Sequence, residues 1–227
     1  MRVHGVNSVF EALKAGKVNR VYISTSAKSG RIAGIISMAK KSGVPVVHVR
    51  NLSSNVEADV SPVKYVDFDL LLEKALKSSG VIVLLDSVQD PQNLGAVIRN
   101  AVFFGCMGAV IPKRRSARMN ETVIKTSAGA MFHIDISRVS NLANSIKKLK
   151  KYGFLVAGAE PQGKNLAEIQ FEVPLALVIG GEDEGISKPV RKQCDELAAI
   201  PSNGKISSLN LSCASAVMLY EIRRRIK

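Results

Sequence analysis

Tryptophan is absent from this chain and aromatic side chains make up only 5% of it, so no platform for stacking bases is evident. Cysteine is scarce. Cys106, Cys194 and Cys213 lie far apart and form no CxxC, which argues for neither a disulfide framework nor a zinc site. His4, His48 and His133 have no carboxylate or cysteine grouping that suggests a metal or a triad, and they read as structural or surface residues. No apolar run approaches the roughly 18 residues that span a bilayer. The opening MRVHGVNSVFEAL lacks the apolar region of a signal peptide. These absences make a cytoplasmic protein without a membrane partner the simple reading. Internal repeats and low-complexity tracts are also missing. So are GxGxxG after the first strand of the C-terminal part and GxxxxGKS/T anywhere, which removes the common nucleotide fingerprints.

What is abundant is positive charge. The 227 residues hold 32 Lys and Arg against 19 Asp and Glu, a net charge of +13. Such a balance favours a polyanionic partner, and a merely basic soluble surface is the bland alternative. Three basic clusters stand out: Lys113-Arg114-Arg115 with Arg118, then Lys147, Lys148, Lys150 and Lys151, then Arg223-Arg224-Arg225. The first follows a strand end and is expected to contact phosphates. The second sits on a helix and reads as its solvated face. Hydrophobic residues make up 46%, enough for a core in one large or two small domains.

Residues 1 to about 54 read as a small α/β unit. Asn7 or Ser8 could cap a helix through Ala15, and Val18–Ser24 reads as a strand. Ala27–Lys41 reads as a helix with Ile32, Ile35, Ile36 and Ala39 inward, and Val44–Val49 as a second strand. Residues 55–80 form a bridge with a short helix over Leu70–Lys77. From Val81 onward strands and helices alternate. Strands are expected at 81–86, 108–112, 132–135, 153–159, 174–180 and 196–200. Helices are expected at 93–104, 120–127, 140–151 and 207–225. The alternation implies an α/β domain over 81–227 with a mostly parallel sheet covered by helices on both faces.

Three apolar strands discharge into polar loops that contain glycine. Leu84-Leu85-Asp86 runs into Asp90-Pro91-Gln92-Asn93-Leu94-Gly95, with Arg99 in the helix behind. Leu177-Val178-Ile179 runs into Gly180-Gly181-Glu182-Asp183-Glu184-Gly185. Ala199-Ile200-Pro201 runs through Ser202-Asn203-Gly204 to Ser207-Ser208-Leu209-Asn210. Open α/β sheets build ligand sites at such strand ends. Glycine lets backbone approach a ligand, although a plain strand-to-helix turn would use it too. Arg99 faces away from Leu94, Ile98 and Ala101 and can point into a site. Asn93 orients a substrate or caps a helix. Glu182 pairs with Arg99 or only holds its loop.

Taken together, DSVQDPQNLGAVIRNAVFFG, LVIGGEDEG and IPSNGKISSLNLSCASAVMLYE resemble the motifs of the SpoU/TrmH group of RNA 2′-O-ribose methyltransferases, in the SPOUT superfamily. The resemblance covers about residues 81–227 and rests on three separated motifs in order. It implies a deep trefoil knot in the C-terminal domain and S-adenosylmethionine as cofactor, held by Ile179, Gly180, Gly181, Ile200, Ser208 and Leu209. It assigns catalytic or substrate-facing roles to Arg99, Asn93, Glu182, Ser208 and Asn210. A guanidinium is a poor base, with a pKa above roughly 12, so Arg99 is expected to activate and position the 2′-hydroxyl. The opening HGVNSVFEAL resembles the L30e-like RNA-binding domain that often precedes such a catalytic domain. Arg2, Lys28 and Arg31 are its expected phosphate contacts. The family's His-x-Gly-Ile-Val-Ala stretch is replaced in the bridge by ADVSPVKYVDFD.

The resemblance also implies a homodimer built on the knot region and the C-terminal helix, whose small residues Ser212, Ala214 and Ser215 suit close packing. The segment VIPKRRSARMNETVIKTSAGA looks most like bacterial enzymes that methylate a guanosine of large-subunit ribosomal RNA. A transfer RNA substrate is the next possibility, and a non-catalytic ribosome-assembly factor of the same fold is the rival from another class.

Overall fold

The computed structural model describes residues 1–27, 29–205 and 208–226. Two compact units emerge. One combines Met1–Lys64 with Met119–His133, and the other combines Tyr65–Arg118 with Ile134–Lys227.

The first unit opens with β1 (Arg2–His4) and α1 (Val6–Lys14). Gly5, at φ +91°, starts that helix without a side-chain cap, so the capping role expected of Asn7 or Ser8 is not used. Then come β2 (Val18–Ser24), α2 (Gly30–Lys41), β3 (Val46–Val49) and β4 (Val56–Val60). Ser29 caps α2 by accepting from the Ile32 amide at 3.3 Å. The sheet order is β1-β4-β2-β3, with only β2 and β3 parallel. Strand β4 lies in the stretch expected to be a bridge. Its Glu57 is 3% exposed, and a buried carboxylate breaks the polar-apolar alternation that marks a strand. Glu57 accepts from the Ser53 hydroxyl at 2.7 Å and the Ser53 amide at 2.9 Å. Burial pushes its pKa up, but these bonds and the neighbouring His4 hold it below the usual carboxylate value.

The second unit begins with α3 (Phe68–Lys77), β5 (Val81–Asp86), α4 (Pro91–Phe103) and β6 (Gly108–Pro112). The chain then returns to the first unit as α5 (Glu121–Thr126) and a 3-10 turn at Ala130–His133. There the Glu121 carboxylate accepts from the Arg2 amide at 3.2 Å, and Glu11 meets His133 at 2.8 Å. The strand expected at 132–135 is instead β7 (Asp135–Val139), because the turn consumes the apolar residues before it.

The rest of the second unit is α6 (Leu142–Lys151), β8 (Leu155–Asn165), β9 (Leu175–Gly180), α7 (Lys188–Arg191), β10 (Glu196–Ala199) and α8 (Leu211–Arg225). Six strands run β10-β8-β9-β5-β6-β7, and every pairing is parallel. β5 and β9 are buried at every position, as expected of central parallel strands covered on both faces. Parallel pairing puts all the carboxyl ends, and so the three polar loops, on one edge. No helix among the described residues is long and apolar enough to cross a membrane.

Candidate active site

The first two loops are locked by a buried acid. Asp86, at the end of β5, accepts from the Ser187 amide at 2.8 Å, reaching across to the loop after β9. That second loop closes on itself, with the Gly181 and Gly185 amides exchanging bonds of 3.2 and 3.1 Å. A Cβ on Gly180 would collide with the Gly185 backbone, and one on Gly181 would lie 2.6 Å from the Ser87 carbonyl oxygen. Both glycines are therefore demanded by protein packing, a different reason from the ligand approach expected of them. Gly180 is buried, as is Ile179 beneath it.

Polar side chains then join all three loops. The Asn93 amide donates to Glu182, and the Asn210 amide donates to the Asn93 oxygen at 3.4 Å. Asn93 does not cap α4. Asp90 does, accepting from the amides of Gln92 at 3.0 Å and Asn93 at 3.3 Å, which frees the Asn93 side chain for the loops. Asn210 does cap its helix. Its oxygen accepts from the Ser212 amide at 2.9 Å, so α8 begins at Leu211, later than expected, while its nitrogen reaches Asn93. Ser208 is exposed, and Ser207, the expected start of the helix, falls outside the described residues. Leu209 is 45% exposed and Ile200 half-buried, leaving apolar surface beside these polar groups.

The Arg99 side chain is exposed and its guanidinium makes no ion pair or hydrogen bond among the described residues. It lies about 9 Å along α4 from Asn93 and about a third of a turn around it. Glu182 spends its carboxylate on Asn93, so the Glu182–Arg99 pairing weighed from sequence is not formed. Asn100, on the same face as Asn93, donates to the Ser212 carbonyl and the Ser215 hydroxyl, both at 2.8 Å. That clasp between α4 and α8 escaped the sequence reading, although its seven-residue spacing from Asn93 was there to be read. It also turns Ser215 inward, so part of the small-residue face expected at a partner is used within the chain.

Residues 80–220 match the model of the SpoU rRNA methylase family. The chain belongs to that family. Residues 2–51 match the RNA 2′-O ribose methyltransferase substrate-binding domain. An uncharacterised tRNA/rRNA methyltransferase of Archaeoglobus fulgidus is 48% identical over 99% of both chains. A Staphylococcus haemolyticus protein assigned to the TrmH family of tRNA/rRNA methyltransferases is 37% identical over 97% of this chain and 94% of its own. The fold is shared with the SpoU methyltransferase AviRb of Streptomyces viridochromogenes, solved in complex with AdoMet. The TM-score is 0.82 and the identity 23%, over 99% of this chain and 89% of that one.

The expected RNA contacts of this SpoU-family chain divide. Lys113, Arg114, Arg115 and Arg118 are exposed beyond the carboxyl end of β6, and none forms an ion pair among the described residues. Arg138 shapes their loop by donating to the Lys113 carbonyl at 2.9 Å. In the first unit Arg31 is exposed, and Lys28 lies outside the described residues. Arg2 is otherwise engaged. Its guanidinium bonds Asp59 at 3.3 Å, approaches Glu57 at 3.6 Å and stacks 4.3 Å from the Tyr22 ring centre. Two carboxylates thus already share its charge.

Proposed function

We propose that this chain transfers a methyl group from S-adenosylmethionine to a ribose 2′-hydroxyl of ribosomal RNA, on a guanosine of the large subunit. The reading rests on one observation above all. The Glu182–Asn93–Asn210 chain holds three strand-end loops together and leaves a free guanidinium on the helix behind them. The methyl donor of the family is S-adenosylmethionine. Its purine suits the apolar surface of Leu209 and Ile200, and its polar groups suit the backbone around Ser208 and the loop that Gly180 and Gly181 open. When bound, it supplies an electrophilic methyl group on a sulfonium.

The chain's own residues do the rest. Arg99 binds the phosphate next to the target ribose and orients the 2′-hydroxyl. By stabilising the hydroxyl's developing alkoxide character, it eases loss of the hydroxyl proton to an oxygen of that phosphate as the ribose oxygen takes the methyl group from sulfur. Asn93, Glu182 and Asn210 keep the two ligand-holding loops in register, so that oxygen and methyl meet in line. Residues 1–64 with 119–133 supply RNA selection. The C-terminal segment carries the trefoil knot of the SPOUT fold.

The enzyme works as a homodimer in this reading. Cys213, Val217 and Tyr220 form an exposed stripe along α8, and Phe103 on α4 is 81% exposed. Apolar surface of this kind marks an interface.

Tritiated methyl transfer to unmodified ribosomal and transfer RNA tests the function. Incorporation into ribosomal RNA, at a phosphodiester that becomes resistant to alkali, is expected, because alkaline cleavage needs a free 2′-hydroxyl. Labelling of transfer RNA alone would change the substrate. Labelling of neither, with cofactor bound, would leave an RNA-binding assembly factor.

A further inference from the structure

A cleft of about 400 Å³ opens between α6 and α7, sharing no lining residue with the three-loop site. Lys147 of α6, with Lys188 and Lys192 at the two ends of α7, line it together with Asn141, Asn144 and Gln193. The volume lies within the roughly 300–1,000 Å³ usual for small-ligand sites.

Charge around this cleft is paired selectively. Lys148 bonds Asp69 at 2.7 Å, Lys150 pairs with Asp195, and Arg191 lies 3.7 Å from Glu160. The ammonium groups of Lys147, Lys188 and Lys192 have no ion pair or hydrogen bond among the described residues, and no carboxylate lines the cleft. The basic run on α6, which reads in sequence as one solvated face, is thus split. Lys148 and Lys150 are neutralised, while Lys147 joins two lysines some forty residues downstream.

Three ammonium groups around one concavity repel each other, and an anion relieves that repulsion. The amides of Asn144 and Gln193 add donors without negative charge. One end of the cleft faces the carboxyl edge of the sheet, since Asn141 follows β7 and Lys188 follows Ser187, whose amide bonds Asp86 at the end of β5. The other end, at Gln193 beside Lys150, points toward the opposite edge. An RNA strand that occupies the three loops and continues along the carboxyl edge would reach the Asn141 and Lys188 end of the cleft.

We propose that this cleft is a phosphate subsite for the backbone of the RNA substrate, holding the strand at a second point away from the reacting ribose. The proposal rests on the RNA methyltransferase reading for its partner, and its test separates the two.

The decisive variant is Lys147→Gln with Lys188→Gln and Lys192→Gln. Its control of equal charge carries Lys40→Gln, Lys77→Gln and Lys164→Gln, all exposed and none lining the cleft. RNA affinity is measured against salt for both, and S-adenosylmethionine affinity by calorimetry. The cleft variant should bind RNA about tenfold more weakly than the control, with a salt slope lower by about 0.7–0.9 for each phosphate that it no longer neutralises. Its cofactor affinity should be unchanged, which also shows that it is folded. Should the triple variant fail to fold, Lys192→Gln alone should still lower the slope relative to Lys77→Gln. Equal losses in variant and control, or none in either, overturn the proposal. So does inorganic phosphate binding the cleft as tightly as an RNA fragment does, since that would make it a small-anion site. If the wild type methylates no RNA, the function proposed above fails, while the comparison of salt slopes still decides the cleft.

Discussion

In the six-stranded sheet, Val81–Asp86 and Leu175–Gly180 are buried at every position, whereas Val46–Val49 in the four-stranded sheet has no fully buried residue and Val56–Val60 buries a carboxylate. The large parallel sheet is covered by helices on both faces, so apolar runs stabilise it and the chemistry is confined to its edge. The small mixed sheet carries a polar network instead: Arg2, Tyr22, Glu57 and Asp59 bond one another across β1, β2 and β4. The difference explains why catalysis and cofactor binding are assigned to one unit and RNA selection to the other. It also explains why one is robust to reading from sequence and the other is not.

The sharpest break in this comparison comes from Arg99→Ala. It should reduce methyl transfer by about 10²–10³-fold, the scale of losing one transition-state donor, while calorimetry shows cofactor binding nearly intact. Arg99→Lys should fail as well, because an ammonium lacks the planar fork. Near-normal turnover in either variant would move the role elsewhere.

Stability should divide along the same line. Leu84→Ala, in the buried parallel sheet, should cost about 2–5 kcal/mol in denaturant unfolding. Val47→Ala, half-exposed on β3, should stay within about 0.5 kcal/mol. Equal costs would mean that the small sheet is packed as tightly as the large one.

The polar network gives the four-stranded unit its own pH response. Glu57→Gln should cost about 1–3 kcal/mol, because it weakens the bonds from Ser53 in a buried setting. The Tyr22 hydroxyl and Arg2 hold the Asp59 pKa below its usual value, and Glu57 is lowered too. Both groups therefore stabilise the fold fully above their unfolded pKa. That stabilisation is lost as pH falls below about 4, through the lower folded values. Thermal melts at pH 6 and pH 3 should show a drop that Asp59→Asn reduces. An unchanged drop would place the acid sensitivity outside this sheet.

The smallest effect is a labelling pattern. Burial pushes the Cys106 and Cys194 thiols up to about 12, so neither should alkylate near neutral pH. If α8 forms the proposed dimer interface, exposed Cys213 should react slowly in the wild type and faster after Phe103→Asp weakens that interface. Identical rates, with sedimentation showing no dimer in the wild type, would remove α8 as the interface.

A deletion ending at residue 54, natural from sequence, would leave β4 and the 119–133 segment without the strands and helix they pack against. A test of the first unit must instead remove residues 1–64 and replace 119–133 with a short linker.

The sequence by itself determined the parallel α/β sheet and the three strand-end loops, since continuous apolar runs ending in glycine and polar residues report local burial and turn chemistry. It also placed Arg99 on the solvent side of its helix, through the spacing of Leu94, Ile98 and Ala101. It did not disclose β4, because Glu57 is buried by partners from β1 and from the Ser53 turn, and periodicity carries no record of them. Nor did it show that Asp86 clasps the Ser187 amide, that Glu182 is taken by Asn93, or that Lys147 belongs with Lys188 and Lys192. Each of these joins residues some forty to a hundred positions apart. Only the tertiary structure brings such groups within hydrogen-bonding or charge-sensing distance, and it is that distance, with the burial around it, that decides what a polar side chain does.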